Sequence, residues 1–253
     1  MLRTRIIPTL LLRDESLVKT VKFNKYGYIG DPVNTVRIFN ELEVDELVFL
    51  DILASEENRP INFKILQEIS NECFMPLSYG GGIRTIEDAK KIFSIGAEKI
   101  IINSFAVENP HFISILAESF GNQSIIGSID VKNNFFGKYE VYTHSGTRKT
   151  NLDPVKWAIK LEELGAGELL ITSIDREGTW KGYDVALIKK ITDSVKIPII
   201  ANGGAGNINH IVNVVKDSHA SAVALGSMVV YQKQDFGVLI NFPDKLELIN
   251  ELK

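Results

Sequence analysis

Three aspartates stand where short apolar runs end: Asp51 in "FLDI", Asp130 in "GSIDVK" and Asp175 in "SIDREGT". A carboxylate at the end of a buried strand is placed to act as a general acid or base, the more so if partial burial raises its pKa. Each is equally open to a structural reading, in which the acid accepts hydrogen bonds from loop N–H groups. Two glycine turns suggest a second chemistry. "YGGGI" (79–83) and "NGGAG" (202–206) each follow an apolar run, while "NS" (103–104) and "GS" (226–227) close the runs that come next. Glycine lets backbone N–H groups approach an anion closely, and Asn or Ser adds side-chain donors. Gly81, Gly82, Asn103 and Ser104, with Asn202, Gly203, Gly204, Gly226 and Ser227, are therefore candidate anion-binding residues. The plainer reading is that these glycines only make tight turns.

Positioning these groups requires a framework, and the chain supplies eight apolar runs: "RIIPTLLL", "ELVFLDI", "MPLSYG", "EKIIINS", "SIIGSID", "ELLITSID", "IPIIANGG" and "SAVALGS". Each is continuous enough to be a strand buried on both faces. Segments such as "TIEDAKKIFSIGA" and "DPVKWAIKLEELGAG" lie between them, with acidic starts and glycine stops that suit helices. Eight strands alternating with helices in 253 residues fit a (β/α)8 barrel forming one domain, residues 1–253. An open doubly wound sheet is the alternative, but no GxGxxG follows the first strand. Gly80 and Gly203, and Ser104 and Ser227, are separated by the same 123 positions (80 to 203, 104 to 227). That repeat implies half-barrels of about 1–122 and 123–253, with two related anion sites and an elongated ligand charged at each end. Asp130 becomes the best catalytic candidate, since it ends a buried strand opposite the first.

At the other end of the barrel, Arg5, Glu46, Lys99 and Glu168 stand at or just before strand starts, where charges usually cap the core or pair at the rim. Histidines at 111, 144, 210 and 219 are scattered and Cys73 is alone, so neither a metal site nor a Ser-His-Asp arrangement is expected, and no cofactor. The net charge of −4 gives no global attraction to nucleic acid. A single cysteine fits a reducing compartment. The apolar stretch near the start, about seven residues, is too short to span a membrane and poor as a signal peptide. A cytoplasmic protein without membrane attachment is expected.

Together these motifs resemble the cyclase subunit of imidazole glycerol phosphate synthase, the HisF family, along nearly the whole chain: "RIIPTLLL", "DELVFLDI", "GGGIRT", "AVENP", "SIDVK", "TSIDREGT" and "NGGAG". The resemblance implies a cyclase or lyase subunit of a glutamine amidotransferase complex. In that family a glutaminase (HisH-like) partner docks at the N-terminal face of the barrel and supplies ammonia, and the substrate carries two phosphates. Arg5, Glu46, Lys99 and Glu168 match the family's ammonia gate. Lys19, Asp51, Asp175, Glu177 and Gly178 fall at substrate-binding positions. Asp130 matches one aspartate of the family's catalytic pair, but the other falls on Leu11, which cannot exchange a proton. Tyr79, Asn202 and Glu177 also depart from the pattern, and loop 1, "KTVKFNKYGYIGDP", keeps Lys19 without the usual following glycine. The chain is most similar to the HisF-like proteins of the WbuZ type, associated with surface-polysaccharide gene sets, with which it shares "LVKTVKF", "YIGDP" and "YGGGI". That similarity implies amidation of a surface sugar, with a sugar amidotransferase as a further partner. A histidine-biosynthesis cyclase and a non-catalytic ammonia conduit are the alternatives.

Overall fold

The computed structural model describes residues 4–252. In chain order, β1 (Arg5–Arg13), β2 (Ser16–Val21) and β3 (Asn24–Gly30) lead into α1 (Pro32–Glu41). Next come β4 (Leu47–Asp51), α2 (Phe63–Glu72), β5 (Leu77–Gly80), α3 (Ile86–Ile95), β6 (Lys99–Ile102), α4 (Ser104–Glu108) and α5 (His111–Phe120). The second half holds β7 (Ile125–Asn133), β8 (Tyr139–Thr143), β9 (Arg148–Lys149), α6 (Pro154–Glu163), β10 (Glu168–Ser173) and α7 (Val185–Thr192). It ends with β11 (Ile199–Asn202), α8 (Ile208–Ser218), β12 (Ala222–Leu225), α9 (Ser227–Val230) and α10 (Lys245–Leu252).

Eight of these strands pair in parallel in the cyclic order β1, β4, β5, β6, β7, β10, β11, β12, and β12 returns to β1, closing a (β/α)8 barrel. The helix ends follow sequence signals. Thr85 and Asp88 form a reciprocal capping box at the start of α3, and Asp153 accepts hydrogen bonds from the N–H groups of Val155 and Lys156 at the start of α6. A cap of this kind contributes about 1 kcal/mol.

Side chains alternate along a strand, so every second residue faces the barrel axis. On β1 the series Arg5, Ile7, Thr9, Leu11 points inward, while Ile6, Leu10 and Leu12 join the larger core against the helices. The inner core is one apolar cluster: Ile7, Val48, Ile101, Ile126, Leu170, Ile200, Ala222 and Ala224. Burying such side chains contributes roughly 1.5–3 kcal/mol each. It separates the ring of charges at the strand starts from the polar groups at the strand ends.

The remaining strands form two hairpins at the C-terminal ends of β1 and β7. The segment read from sequence as loop 1 is instead the antiparallel pair β2–β3, which turns at Lys22–Phe23 with both residues at positive φ (53° and 59°). Likewise, β7 does not stop at Asp130. It runs on to Asn133, because β8 pairs antiparallel with it and places Tyr142 across from Asp130. Among the described residues no helix is long and apolar enough to cross a membrane.

Candidate functional site

At the C-terminal end of the barrel a pocket opens above the apolar layer. Its wall includes Thr9, Leu11, Lys19, Thr20, Leu50, Asp51, Ser128, Asp130, Thr172, Glu177 and Asn202. Period two explains the membership. Two residues past the apolar layer, β1 presents Thr9, β7 Ser128, β10 Thr172 and β11 Asn202; two further on, β1 presents Leu11 and β7 presents Asp130. β1 and β7 lie across the ring from each other, so Leu11 and Asp130 face the pocket from opposite sides.

Asp130 is buried, and its carboxyl is pushed up to about 7 by desolvation, against the pull of hydrogen bonds from Asn103 and Thr172. Asn103 Nδ2 donates to Asp130 Oδ2 at 2.7 Å, and Asn202 Nδ2 donates to Thr172 Oγ1 at 3.1 Å. Since Thr172 Oγ1 accepts from Asn202, its own proton is free to go to Asp130. With leucine at the position across from Asp130, no acid stands there; the pocket's other carboxylates, Asp51 and Glu177, are paired with Arg59 and Lys19.

Lys19 is buried at the pocket's edge in an ion pair with Glu177. Desolvation pushes the Lys19 amine down to about 7, while the Glu177 carboxylate in contact with it favours the charged form. Glu177 also accepts from Phe23 N at 3.1 Å, and its carbonyl accepts from Lys22 N at 3.0 Å. One residue thus clamps the turn of the first hairpin over the barrel, with Phe23 in the pocket wall. Asp51 is held structurally: Arg59 Nη2 donates to its Oδ1 at 2.8 Å, as do the N–H groups of Leu53 and Ala54 at 3.1 Å. Burial pushes its pKa up, and Arg59 and those N–H groups pull it back.

The candidates read from sequence divide. Leu11, Lys19, Asp51, Gly81, Gly82, Asn103, Ser104, Asp130, Glu177, Asn202 and Gly226 line the pocket. Asp175, Gly178, Gly203, Gly204 and Ser227 are absent from its wall. Asp175 instead accepts from Asn133 N at 2.8 Å. Packing alone requires some of the glycines. Gly81 has φ 117° and a Cβ there would meet the Asp51 carbonyl at 2.5 Å; Gly204 has φ 110° and a Cβ would strike the Gly182 carbonyl. Tyr79, one of the departures from the family pattern beside the first glycine turn, is not at the pocket: it points outward into the helix-packed core and is 1 % exposed, as alternation after Ser78 dictates. Sequence reasoning missed Thr9, Ser128, Thr172 and Arg84, although the first three follow from counting by twos along their strands.

At the opposite end, Arg5, Glu46, Lys99 and Glu168 form one connected network across four strands. Arg5 Nη1 lies 2.6 Å from Glu46 Oε1, and Arg5 Nη2 contacts Glu168. Lys99 Nζ lies 3.1 Å from Glu168 Oε2 and 3.6 Å from Glu46 Oε2. Burial lowers the Arg5 guanidinium's pKa, and the two glutamates more than restore it. Among the described residues no group of three or more His, Cys, Asp or Glu could hold a metal ion.

Comparison with known proteins places these features in context. The family described as "Histidine biosynthesis protein" matches residues 5–235. A protein of Pseudomonas aeruginosa with the provisional name imidazole glycerol phosphate synthase subunit hisF2 is 49% identical over 244 residues, covering 96% of this chain and 97% of its own. One from Leptospira borgpetersenii, provisionally named as subunit HisF of the same synthase, is 48% identical over 96% of each chain. A third from Vibrio vulnificus, provisionally subunit hisF3, is 44% identical over 98% of this chain and 95% of its own.

Proposed function

Because the chain belongs to the histidine biosynthesis protein family, as a HisF-like cyclase subunit of imidazole glycerol phosphate synthase type, we propose that it receives ammonia from a glutaminase and passes it through the barrel to an acceptor other than the histidine-pathway intermediate. The observation that carries this reading is the pairing of a complete charge ring at one end with Leu11 facing Asp130 at the other. Ammonia is a nucleophile only while unprotonated, so a dry apolar passage is what delivery requires. The inner cluster from Ile7 to Leu170 is apolar and lies between the ring and the pocket. Arg5, Glu46, Lys99 and Glu168 act as the gate, and the N-terminal face receives the glutaminase. The acceptor chemistry is acetamidino formation on a surface-polysaccharide sugar, with a separate amidotransferase, in keeping with the resemblance to the WbuZ type. Asp130 is the catalytic acid or base if the barrel itself takes part.

One observation favours a second reading, a histidine-pathway cyclase: relatives at 44–49% identity bear the name of that synthase. The experiment that tests the ammonia route replaces Lys99 by Met and compares glutamine-driven with ammonium-driven product formation in the complex with the glutaminase. The glutamine-driven rate should fall by about tenfold or more while the ammonium-driven rate is retained. Equal loss of both would reduce the ring to rim packing.

A further inference from the structure

Among the described residues, twelve large apolar side chains are exposed, and eight of them lie on segments that leave the C-terminal ends of barrel strands. Val21, Tyr26 and Tyr28 are on the first hairpin, beyond β1; Phe135 and Phe136 are on the second, beyond β7; three more, at 236, 238 and 239, follow α9, beyond β12. That last segment lies against the first hairpin: Tyr231, which bridges to Val238, places its hydroxyl 3.2 Å from where a Cβ on Gly27 would be. Since β1 and β7 face each other across the ring, apolar surface stands on both sides of the pocket mouth. At the strand starts Phe74 alone is comparable among the described residues.

The tip of the second hairpin is built rather than loose. Asn134 Oδ1 accepts from Phe136 N at 2.9 Å and from Lys138 N at 3.0 Å, and Asn134 N donates to the Lys138 carbonyl at 2.9 Å. Gly137 closes the turn at φ 73°. The rings of Phe135 and Phe136 meet edge to face with centroids 5.6 Å apart, and they are 98% and 89% exposed. Two aromatic rings held outward on a fixed turn lose little conformational freedom on docking, which is the character of an interface anchor. β7 continues for three residues past Asp130, so the tip stands about 10 Å beyond the pocket's acid.

Charge selects the kind of partner. Residues 131–150 carry Lys132, Lys138, Arg148 and Lys149 against Glu140 alone, in a chain of net charge −4. Glu140 is taken by Lys149 at 2.9 Å, and the other three cations have no carboxylate partner among the described residues. The first hairpin adds Lys22 and Lys25 and carries no acid. A second copy docked on this face would bring the two sets of cations together. A bilayer would seat the tip but would not take up ammonia for reaction.

We infer that the pocket end of the barrel is a docking face for the protein that uses the ammonia, and that this partner seats Phe135 and Phe136 in an apolar recess rimmed by acidic side chains. The inference rests on the functional reading that ammonia leaves by this end. Ammonia released into water near neutral pH is protonated and lost as a nucleophile, so the mouth must be covered during transfer. Apolar surface on both sides of it gives the partner a dry seal, and the lysines of the two hairpins set its orientation.

The test uses the full chain, its glutaminase and the purified sugar amidotransferase of the functional reading. Affinity is read by biolayer interferometry, and product formation is followed from glutamine and from ammonium salt. The wild-type chain should bind the amidotransferase. Phe135→Ser combined with Phe136→Ser should weaken that binding by about tenfold or more and lower the glutamine-driven rate, with the ammonium-driven rate and the melting temperature retained. Lys132→Glu combined with Lys138→Glu should weaken binding by about tenfold and flatten its dependence on salt. Phe74→Ser, at the other end, should leave amidotransferase affinity unchanged. Undiminished affinity of the tip variant overturns the inference. So does a wild-type dimer in sedimentation, or binding to vesicles of phosphatidylcholine and phosphatidylglycerol, that the tip substitutions abolish. Glutamine-driven product formed without binding of the amidotransferase to the wild-type chain overturns this inference alone. Absence of glutamine-driven product with the wild-type chain strikes the functional reading, and the inference falls with it.

Discussion

Replacing Asp130 by asparagine should make the protein more stable above neutral pH. The unfolded chain releases the Asp130 proton near its ordinary value of 3.8, whereas the folded protein holds it up to about 7. Between those values the folded state binds more protons, so this residue's contribution to stability falls as pH rises, and above about 7 the buried carboxylate imposes its full cost. A displacement of about three units at roughly 1.4 kcal/mol each sets an upper limit of about 4 kcal/mol. Partial relaxation around the charge brings the expected gain to about 2 kcal/mol. Asparagine keeps the local bonds: Asn103, whose Oδ1 has no partner, can turn its amide to accept from the new side chain, and the Thr172 hydroxyl can still donate. For a chain of this length the melting temperature should rise roughly 4–8 °C. The assay is thermal unfolding by circular dichroism at about pH 8.5 and about pH 4.5, with the difference between variant and wild type shrinking toward the acid value. A variant less stable than wild type at the alkaline pH, or a difference independent of pH, would refute the assignment of Asp130 as a desolvated acid. The expected pattern is that of a side chain kept at a cost to stability, as functional groups commonly are.

Leu11→Asp should restore a carboxylate facing Asp130 and push the first pKa of the pair lower and the second higher; titration followed by carboxyl carbon NMR should resolve two coupled steps where the parent shows one. Glu168→Ala should cost about 3–5 kcal/mol in denaturant unfolding, because Arg5 and Lys99 both lose a buried partner, and a loss below about 1 kcal/mol would mean that the ring is solvated. Gly204→Ala should destabilise by more than about 1 kcal/mol through its positive φ and the Gly182 carbonyl, with ligand affinity preserved in the folded fraction.

The barrel was legible because all eight of its strands are apolar runs bounded by turn residues, and the repeat of Gly80 at Gly203 marks the same turn twice. The hairpins were not. Their turns place Lys22, Phe23, His144 and Ser145 at positive φ, where sequence reasoning looks for glycine or asparagine, and their stability comes from tertiary contacts such as Phe23 N to Glu177. At the site, the place of Asp130 in the pocket wall and the clustering of Arg5, Glu46, Lys99 and Glu168 at the strand starts were legible from type and position. Asp175 was misleading, since a strand-end acid serves a neighbouring backbone N–H as readily as a ligand, and only the fold decides which. Tyr79 illustrates the same limit: one step along a strand reverses the face, and a residue beside a functional turn can belong wholly to the core.

The central claim is that a barrel with leucine facing Asp130 has left the histidine-pathway reaction while retaining the ammonia route. The most direct measurement supplies the purified protein with the family's bisphosphorylated ribonucleotide intermediate and saturating ammonium salt at about pH 8.5, where free ammonia is appreciable, and follows formation of the imidazole product. The account predicts turnover below about 1% of that of a family member carrying both aspartates, the loss expected on removing one of two acid–base groups. Turnover comparable to that enzyme would contradict it.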